Sequence, residues 1–146
     1  MTETLPDYLP PVNLAPLHET LNTLLAPWVR ELGLQLVAAT PGEVTLALPL
    51  ADKHIHAGGV LCGQTMLAAA DTAMLLAIIS QLGSFRPMTT VQLQTSFLRP
   101  VATGSGPAKV VGRVLRMGKN LVYGEVELFS ATGQLAAHAT STYALI

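Results

Sequence analysis

The stretch that most constrains this chain is residues 53–81, a loop with two histidines and two glycines followed by about five turns of helix formers. The helical residues are apolar on nearly every side, so we predict a helix surrounded by protein. One carboxylate, Asp71, lies in its middle. A lone buried carboxylate is costly unless something stabilises it. We therefore interpret Asp71 as the functional centre.

This helix has two other possible interpretations. About 20 apolar residues are long enough to span a membrane. Asp71 would then lie near the bilayer midplane, at a cost of roughly 2.5–3.5 kcal/mol, and Gln64 and the glycine pair also oppose insertion. Alternatively, the carboxylate could have a purely structural role as a cap or a pairing partner. We predict no membrane span and a functional carboxylate.

The composition limits the class of protein. A chain of 146 residues forms one domain, and its 50% hydrophobic and 12% charged residues suggest further surface buried between subunits. With a net charge of −1 the protein has no broad positive electrostatic potential that would attract nucleic acid. The single cysteine, Cys62, excludes an intramolecular disulfide and disfavours a zinc finger. No export signal is recognisable at the start, so we expect a cytoplasmic protein.

We divide the chain into an arm with a helical extension, residues 1–33, and a main domain, residues 34–146. Residues 1–12 are proline-rich and predict a loose arm. A helix should begin at Asn13 as its cap, be kinked or divided at Pro27 and end at Gly33. We expect this extension to serve packing only.

Alternating residues and short turns predict six strands, all paired antiparallel. In the third strand the alternation sets Val91, Leu93 and Phe97 against Gln92 and Gln94. The order helix, two strands, long helix, four strands indicates an α+β fold in which one sheet wraps the central helix. The predicted strands are residues 34–37, 44–48, 88–98, 109–117, 121–129 and 135–145.

The start of the central helix supplies a second component. The first N–H groups of a helix have no intrahelical partner and lie at the positive end of its dipole. Gly63 offers such an N–H without a side chain, which suits an oxygen that becomes negative during acyl transfer. Gly63 could instead only permit close helix packing. His56, seven residues earlier, could orient or polarise a carbonyl.

Helix geometry separates these groups. Gly63 and Asp71 are eight residues apart, about 12 Å along one helix axis, whereas a general base acts within about 3 Å or through one water. If both residues take part, one site must combine Gly63 of one subunit with Asp71 of another. A homodimer follows from that premise.

The segment HAGGVLCGQTMLAAADTAM resembles the helix-start signature of hotdog-fold acyl-CoA thioesterases, especially the phenylacetate-pathway (PaaI-like) group. Two later segments, FLRPVATGSGPAKVVGRVLRMGKN and GQLAAHATSTYAL, are similar to strands of that family. The resemblance covers roughly residue 34 to the C-terminus. It implies a hotdog fold: an antiparallel sheet wrapped around one long central helix, here with an additional N-terminal helix.

The resemblance also implies roles for individual residues. The family's general base or nucleophile falls on Asp71, and the glycine N–H that binds the thioester oxygen falls on Gly63. His56 stands where the family has Asn or Gln. Cys62 precedes Gly63, and Gln64 follows it, where the PaaI-like motif reads His-Gly-Gly. A thiol has a pKa near 8.5 and leaves as thiolate, so one base and oxyanion donors are sufficient machinery.

Several other residues are candidates for substrate contacts. Coenzyme A carries phosphates, and Arg99, Arg116 and Lys119, which cluster at strand ends and turns, could contact them or remain solvated. Thr72 could bond within the site or back to its own helix. Gln64 and Cys62 complete the predicted set. Cys62 could also act as a nucleophile or be a buried inert thiol.

We predict no metal and no cofactor, since coenzyme A is part of the substrate. His54 and His56 could face one metal ion near Asp52, but no third ligand has a recognisable spacing.

The sequence thus predicts hydrolysis of an acyl-CoA thioester by a homodimer that pairs into a dimer of dimers. A non-catalytic acyl-CoA or fatty-acyl binding module on the same fold remains open. So does a hotdog hydratase using His56.

Overall fold

The structure is a computed structural model that describes residues 12–146. Within this range one six-stranded sheet and one long helix form the body of the protein. The loose arm predicted for residues 1–12 lies outside the described residues, except for Val12, which packs against the core.

The N-terminal segment, residues 13–32, contains three short helical elements: α1 (Ala15–Glu19), a π-helical turn (Thr20–Leu24) and α2 (Pro27–Arg30). The side chain of Asn13 accepts a hydrogen bond from the Ala15 N–H at 3.1 Å, which gives the predicted residue a capping role. The predicted division at Pro27 is confirmed, because α2 begins at this proline. Gly33 ends the segment with φ +72°, a conformation that glycine adopts without strain.

The six strands form one sheet in the order β1-β2-β4-β5-β6-β3, and every neighbouring pair is antiparallel. The predicted α+β class and hotdog architecture are confirmed, because this sheet wraps a single long helix. The strands are β1 (Gln35–Thr40), β2 (Glu43–Leu48), β3 (Met88–Phe97), β4 (Ala108–Met117), β5 (Leu121–Phe129) and β6 (Leu135–Leu145).

Helix α3 (Gly63–Leu82) packs across one face of the sheet and buries 12 of its 20 residues. Two strand glycines permit this close approach. A β-carbon on Gly112 would lie 2.7 Å from the carbonyl oxygen of Ala73, and one on Gly124 would collide with Met74. The helix lies against the sheet because β4 and β5 have no side chains at these positions.

By length and composition alone, α3 could cross a membrane. Its apolar window is, however, 67% buried inside the protein, and the core helices of globular proteins pass the same test. We therefore describe α3 as the core helix.

Strand β3 lies at one edge of the sheet, where only β6 pairs with it among the described residues. The predicted alternation along this strand is interrupted by a bulge. Thr90 pairs with Tyr143 and Gln92 with Thr142, so Val91 has no partner and is 58% exposed. The uninterrupted alternation predicted through Val91 is therefore wrong.

Candidate active site

Asp71 lies in the middle of α3 and is half-buried. The Tyr143 hydroxyl donates to Oδ1 of this carboxylate at 2.5 Å and also lies 3.0 Å from the main-chain oxygen of Asp71. The Thr90 hydroxyl donates to the same Oδ1 at 2.9 Å. The carboxylate is thus neither fully buried nor isolated, which corrects the premise drawn from the sequence.

Tyr143 remains a hydrogen-bond donor over the ordinary pH range. Burial, followed by the nearby charge of Asp71, raises the pKa of this phenol well above its usual value. Because the phenol keeps its proton, the carboxylate must accept in this hydrogen bond.

The second carboxylate oxygen of Asp71 is available. Oδ2 has no hydrogen-bond partner within residues 12–146, and it is absent from the buried polar atoms that lack a partner there, so solvent reaches it. Asp71 borders a cavity of about 120 Å³, which we name the Asp71 pocket. Its walls are Leu25, Trp28, Val29, Ala68, Asp71, Thr72, Leu75 and Tyr143.

Gly63 is the first residue of α3, and Cys62 is the N-cap with an extended backbone. The Gly63 N–H donates to no acceptor in the described part of the chain. The Phe97 ring stands over it, since a β-carbon built on Gly63 would lie 3.5 Å from Cζ of that ring. Among the described residues, the helix start thus has an N–H without an acceptor, next to an aromatic ring.

His56 lies exposed in the loop before α3. Its Nδ1 accepts a hydrogen bond from the Gly58 N–H at 2.8 Å. A nitrogen that accepts carries no proton, so the neutral ring bears its proton on Nε2 and offers a donor there. Gly58 is needed for this contact, because a β-carbon on it would lie 2.6 Å from Cε1 of His56.

Cys62 belongs to a small polar cluster behind the helix start. Its Sγ lies 3.0 Å from Oγ1 of Thr65, and that hydroxyl lies 3.3 Å from Nδ1 of His54. Nε2 of His54 is buried without a partner within residues 12–146. No group of three or more His, Cys, Asp or Glu side chains that could hold a metal occurs in this range.

The remaining predicted residues are dispersed. Gln64 is exposed at the second position of α3, and the Thr72 hydroxyl donates back to the Ala68 carbonyl at 2.8 Å. Arg99 follows the Phe97 end of β3. Lys119 lies in the turn between β4 and β5, at the opposite end of the sheet.

The three basic residues therefore do not form one cluster within one protomer, since Arg116 and Lys119 lie near the turn between β4 and β5 and Arg99 lies at the other end of the sheet. Phe97 pairs with Ala137, whereas Met88 pairs with Leu145, which in turn is bonded to Asn120 beside Lys119. The ten residues of β3 span about 30 Å, and this length separates Arg99 from Lys119.

Gly63 and Asp71 are also kept apart, because α3 is continuous over both. Eight residues of helix correspond to about 12 Å along its axis. Gly63 contacts the Phe97 end of β3, and Asp71 contacts its Thr90 end. One protomer does not bring the two groups to one reacting atom.

Sequence reasoning missed Tyr143 and Thr90. A signal for Tyr143 was present, because it continues an inward series in β6 with Ala137, Ala139 and Ser141, all of which are buried. A buried tyrosine hydroxyl needs a partner, and Asp71 was the acceptor available. Thr90 had no comparable signal. The bulge at Val91 interrupts the alternation, so the sequence does not show which face of β3 the Thr90 side chain occupies.

The fold and the carboxylate at the centre of α3 define a class of protein, the hotdog thioesterases. The sequence model of the Thioesterase superfamily matches residues 58–137, more than half of the chain. The chain therefore belongs to the Thioesterase superfamily, and the general activity that this family supports is hydrolysis of thioesters.

Individual proteins agree with this placement. The Thermoplasma volcanium protein TV1331, whose name assigns it provisionally to the esterases, is 30% identical over 71% of this chain and 76% of its own. Acyl-coenzyme A thioesterase 13 of Homo sapiens is 29% identical over 73% of this chain and 76% of its own. The Escherichia coli PaaI structure has a TM-score of 0.79 at 17% identity and covers 90% of this chain and 91% of its own, a likeness of fold.

Proposed function

We propose that this protein hydrolyses acyl-CoA thioesters as a homodimer. Asp71 of one protomer activates water, and the Gly63 N–H of the other protomer binds the thioester oxygen. The observation that carries the proposal is the state of the Asp71 carboxylate, whose Oδ1 accepts from two hydroxyls while Oδ2 has no hydrogen-bond partner within residues 12–146.

A free carboxylate oxygen is suited to general-base chemistry. Oδ2 of Asp71 takes a proton from water as the water oxygen forms a bond to the thioester carbon. The carbonyl oxygen becomes an oxyanion, and its collapse expels the thiol of coenzyme A as thiolate. Asp71 then returns the proton to the thiolate or to solvent. A thiolate departs without a strong acid beside it, which agrees with a site that has one carboxylate.

Two donors at the start of α3 support stabilisation of the oxyanion. The Gly63 N–H lies at the positive end of a 20-residue helix and has no protein acceptor within residues 12–146. Nε2–H of His56 can donate as a side-chain amide would, since Nδ1 already accepts from Gly58. His56 therefore takes the carbonyl-orienting role in our proposal.

The exposed edge of β3 is the surface that we propose joins two protomers. It is a ten-residue strand without a charged side chain, and its exposed residues include Val91 and Phe97; a long uncharged edge of this kind favours pairing with another strand. Two copies of β3 related by a twofold axis would pair antiparallel. The Thr90 end of one strand would then meet the Phe97 end of the other, and with these ends come Asp71 and Gly63.

The same pairing would reunite the dispersed cations. It would bring Arg99 of one protomer to the end of the sheet that carries Lys119 of the other. Both side chains are exposed and could bind phosphates of coenzyme A. Gln64, Cys62 and Thr72 remain proposed substrate contacts. The dimer of dimers and the cytoplasmic location also remain predictions.

Hydrolysis is favoured over the two alternatives. A binding module has no need of a carboxylate oriented by two hydroxyls, so the Tyr143 and Thr90 bonds favour an enzyme. A hydratase would need a histidine paired with its acid. In one protomer His56 bonds to Gly58 rather than to Asp71, and Asp71 is bonded by hydroxyls.

The test is release of free thiol from a panel of acyl-CoA thioesters by wild type and by Asp71→Asn. Loss of the base should lower kcat by at least about a hundredfold. Stability should not fall, because the amide oxygen can still accept from Tyr143 and Thr90 and a neutral group is cheaper to bury. Wild-type turnover in Asp71→Asn would make the carboxylate structural, and no turnover of any thioester by wild type would overturn the proposed function.

A further inference from the structure

One face of α3 is covered by the N-terminal segment and not by the sheet. Ala68, Asp71, Thr72 and Leu75 follow the i, i+3, i+4, i+7 spacing and form one side of the Asp71 pocket. The opposite side comes from the N-terminal segment. This segment therefore does more than pack against the core, because it encloses the space beside the reactive carboxylate.

The path of the N-terminal segment explains how it reaches this position. The π-helical turn ends at Leu24, and both Leu25 and Ala26 have extended backbones before Pro27 starts α2. The break turns the chain, so that Leu25, Trp28 and Val29 line the pocket. π-Helical turns are rare and are frequently found at functional sites.

The walls of the Asp71 pocket are apolar apart from the reactive group and the hydroxyl that orients it. Leu25, Trp28, Val29, Ala68 and Leu75 contribute only hydrocarbon or aromatic surface. The Thr72 hydroxyl donates its proton to the Ala68 carbonyl, so it has no proton left to donate to a ligand. A pocket of this kind excludes charged groups but accepts a hydrocarbon placed next to the Asp71 side chain.

The volume limits what fits. The Asp71 pocket measures about 120 Å³, and an apolar cavity of about 150 Å³ is known to bind benzene. A short aliphatic chain or a single ring therefore approaches the capacity of the pocket. A long fatty-acyl chain would have to leave past Trp28, which is 62% exposed at the wall.

We infer that the Asp71 pocket is the acyl subsite and that Leu25, Trp28 and Val29 of the N-terminal segment select acyl groups of short-chain or single-ring size. This inference rests on the proposed function, because it assigns the acyl end of the same thioester. Each methylene that fits the pocket should raise kcat/KM by about fourfold, and the gain should end once the pocket is full.

The experiment uses the full chain and a series of CoA thioesters with straight acyl chains of two to twelve carbons, plus phenylacetyl-CoA and benzoyl-CoA. Free-thiol release gives kcat/KM for each thioester. In wild type we expect a maximum at short or single-ring acyl groups. Trp28→Ala opens the pocket and should raise kcat/KM for long chains relative to short ones by about tenfold or more.

Two variants fill the pocket from opposite walls. Val29→Phe acts from the N-terminal segment and Ala68→Leu from α3. Each should lower kcat/KM for the ring substrates by about tenfold or more and leave acetyl-CoA hydrolysis much less affected. Leu24→Ala is the matched control, since Leu24 is 45% exposed, belongs to the same segment and does not line the pocket. Thermal unfolding of each variant checks that it is folded.

The possible outcomes separate the two proposals. A changed acyl profile in the three pocket variants, with an unchanged profile in Leu24→Ala, supports the acyl subsite. Active pocket variants that keep the wild-type profile would overturn the subsite and leave thioester hydrolysis standing. Should wild type release no thiol from any member of the series, the proposed function fails and the subsite fails with it.

Discussion

The Tyr143 hydroxyl lies 2.5 Å from Oδ1 of Asp71, although 72 positions separate the two residues in the chain. Thr90, which pairs with Tyr143 across β3 and β6, donates to the same oxygen. One cross-strand pair therefore ties the carboxylate to the sheet and leaves Oδ2 for another partner. The orientation of the reactive group depends on the register of two strands as well as on its own helix.

Replacing Tyr143 by Phe should lower kcat about tenfold or more and change KM little, because the carboxylate loses a hydrogen bond that positions it. Tyr123→Phe, at an exposed position of the neighbouring strand β5, is the control. Steady-state rates of thiol release check the prediction. An unchanged kcat in Tyr143→Phe would show that the Tyr143 hydroxyl makes only a structural hydrogen bond and does not position the carboxylate for catalysis.

Tyr143 should also make stability depend on alkaline pH. Its pKa is raised in the folded protein by burial and by Asp71, whereas the unfolded chain loses the proton near pH 10. Above that pH the folded state binds more protons than the unfolded state, so the free energy of unfolding falls as pH rises. Between about pH 10 and 12 wild type should lose up to about 1.4 kcal/mol per pH unit relative to Tyr143→Phe. Parallel denaturant-derived stability curves for the two proteins would contradict this prediction.

Thr90 and Thr89 form a matched pair for mutation. Thr90→Val removes the hydroxyl that donates to Asp71 and keeps the branched shape, so kcat should fall by about tenfold. Thr89 is exposed, pairs with Ala144 and makes no side-chain hydrogen bond within residues 12–146, so Thr89→Val should retain the wild-type rate. Equal rates for both variants would remove Thr90 from the site.

The shared site can be tested with two inactive variants, Asp71→Asn and Gly63→Pro. Proline suits the first position of a helix, and Cys62 already has the extended backbone that a residue before proline requires. The change should delete the oxyanion donor without unfolding α3. Gly63→Ala, which keeps the N–H and makes only ordinary contacts with Phe97, should lose far less activity.

The two inactive variants are unfolded together and refolded. Random pairing makes about half of the dimers mixed, and one of the two sites in each mixed dimer is intact, so about a quarter of wild-type activity should return. If Gly63 and Asp71 served one site within one chain, every site would carry a lesion. Absence of recovery, with mixed dimers verified by native mass spectrometry, would exclude the shared site.

The proposed phosphate contacts of Arg99 and Lys119 predict effects on binding alone. Replacing either residue by Ala should raise KM for the CoA thioester with little change in kcat, and the increase should shrink in high salt. Lys109→Ala is the control, because its ammonium lies over the Phe129 ring, 5.6 Å from the centroid. The same increase in KM on a short thioester without the nucleotide would rule out phosphate contacts.

Much of the architecture could be predicted from local patterns. Period-two alternation and short turns located all six strands, and the apolar run around Asp71 located α3. These features are local, because the periodicity of side chains and the dihedral preferences of Gly and Pro act within a few residues. The segment at the start of α3 also resembles the hotdog thioesterases, because Gly63 and Asp71 keep the spacing of that family's motif.

Other features were decided only by the tertiary structure. Tyr143 and Thr90 meet at Asp71 because β3 returns to pair with β6, and a bulge at Val91 sets the phase of that pairing. The same strand order separates Arg99 from Lys119, and packing on α3 converts the N-terminal segment into a wall of the Asp71 pocket. Local sequence determines which elements form, whereas the neighbours of each side chain depend on strand order and register between distant segments, which no short pattern encodes.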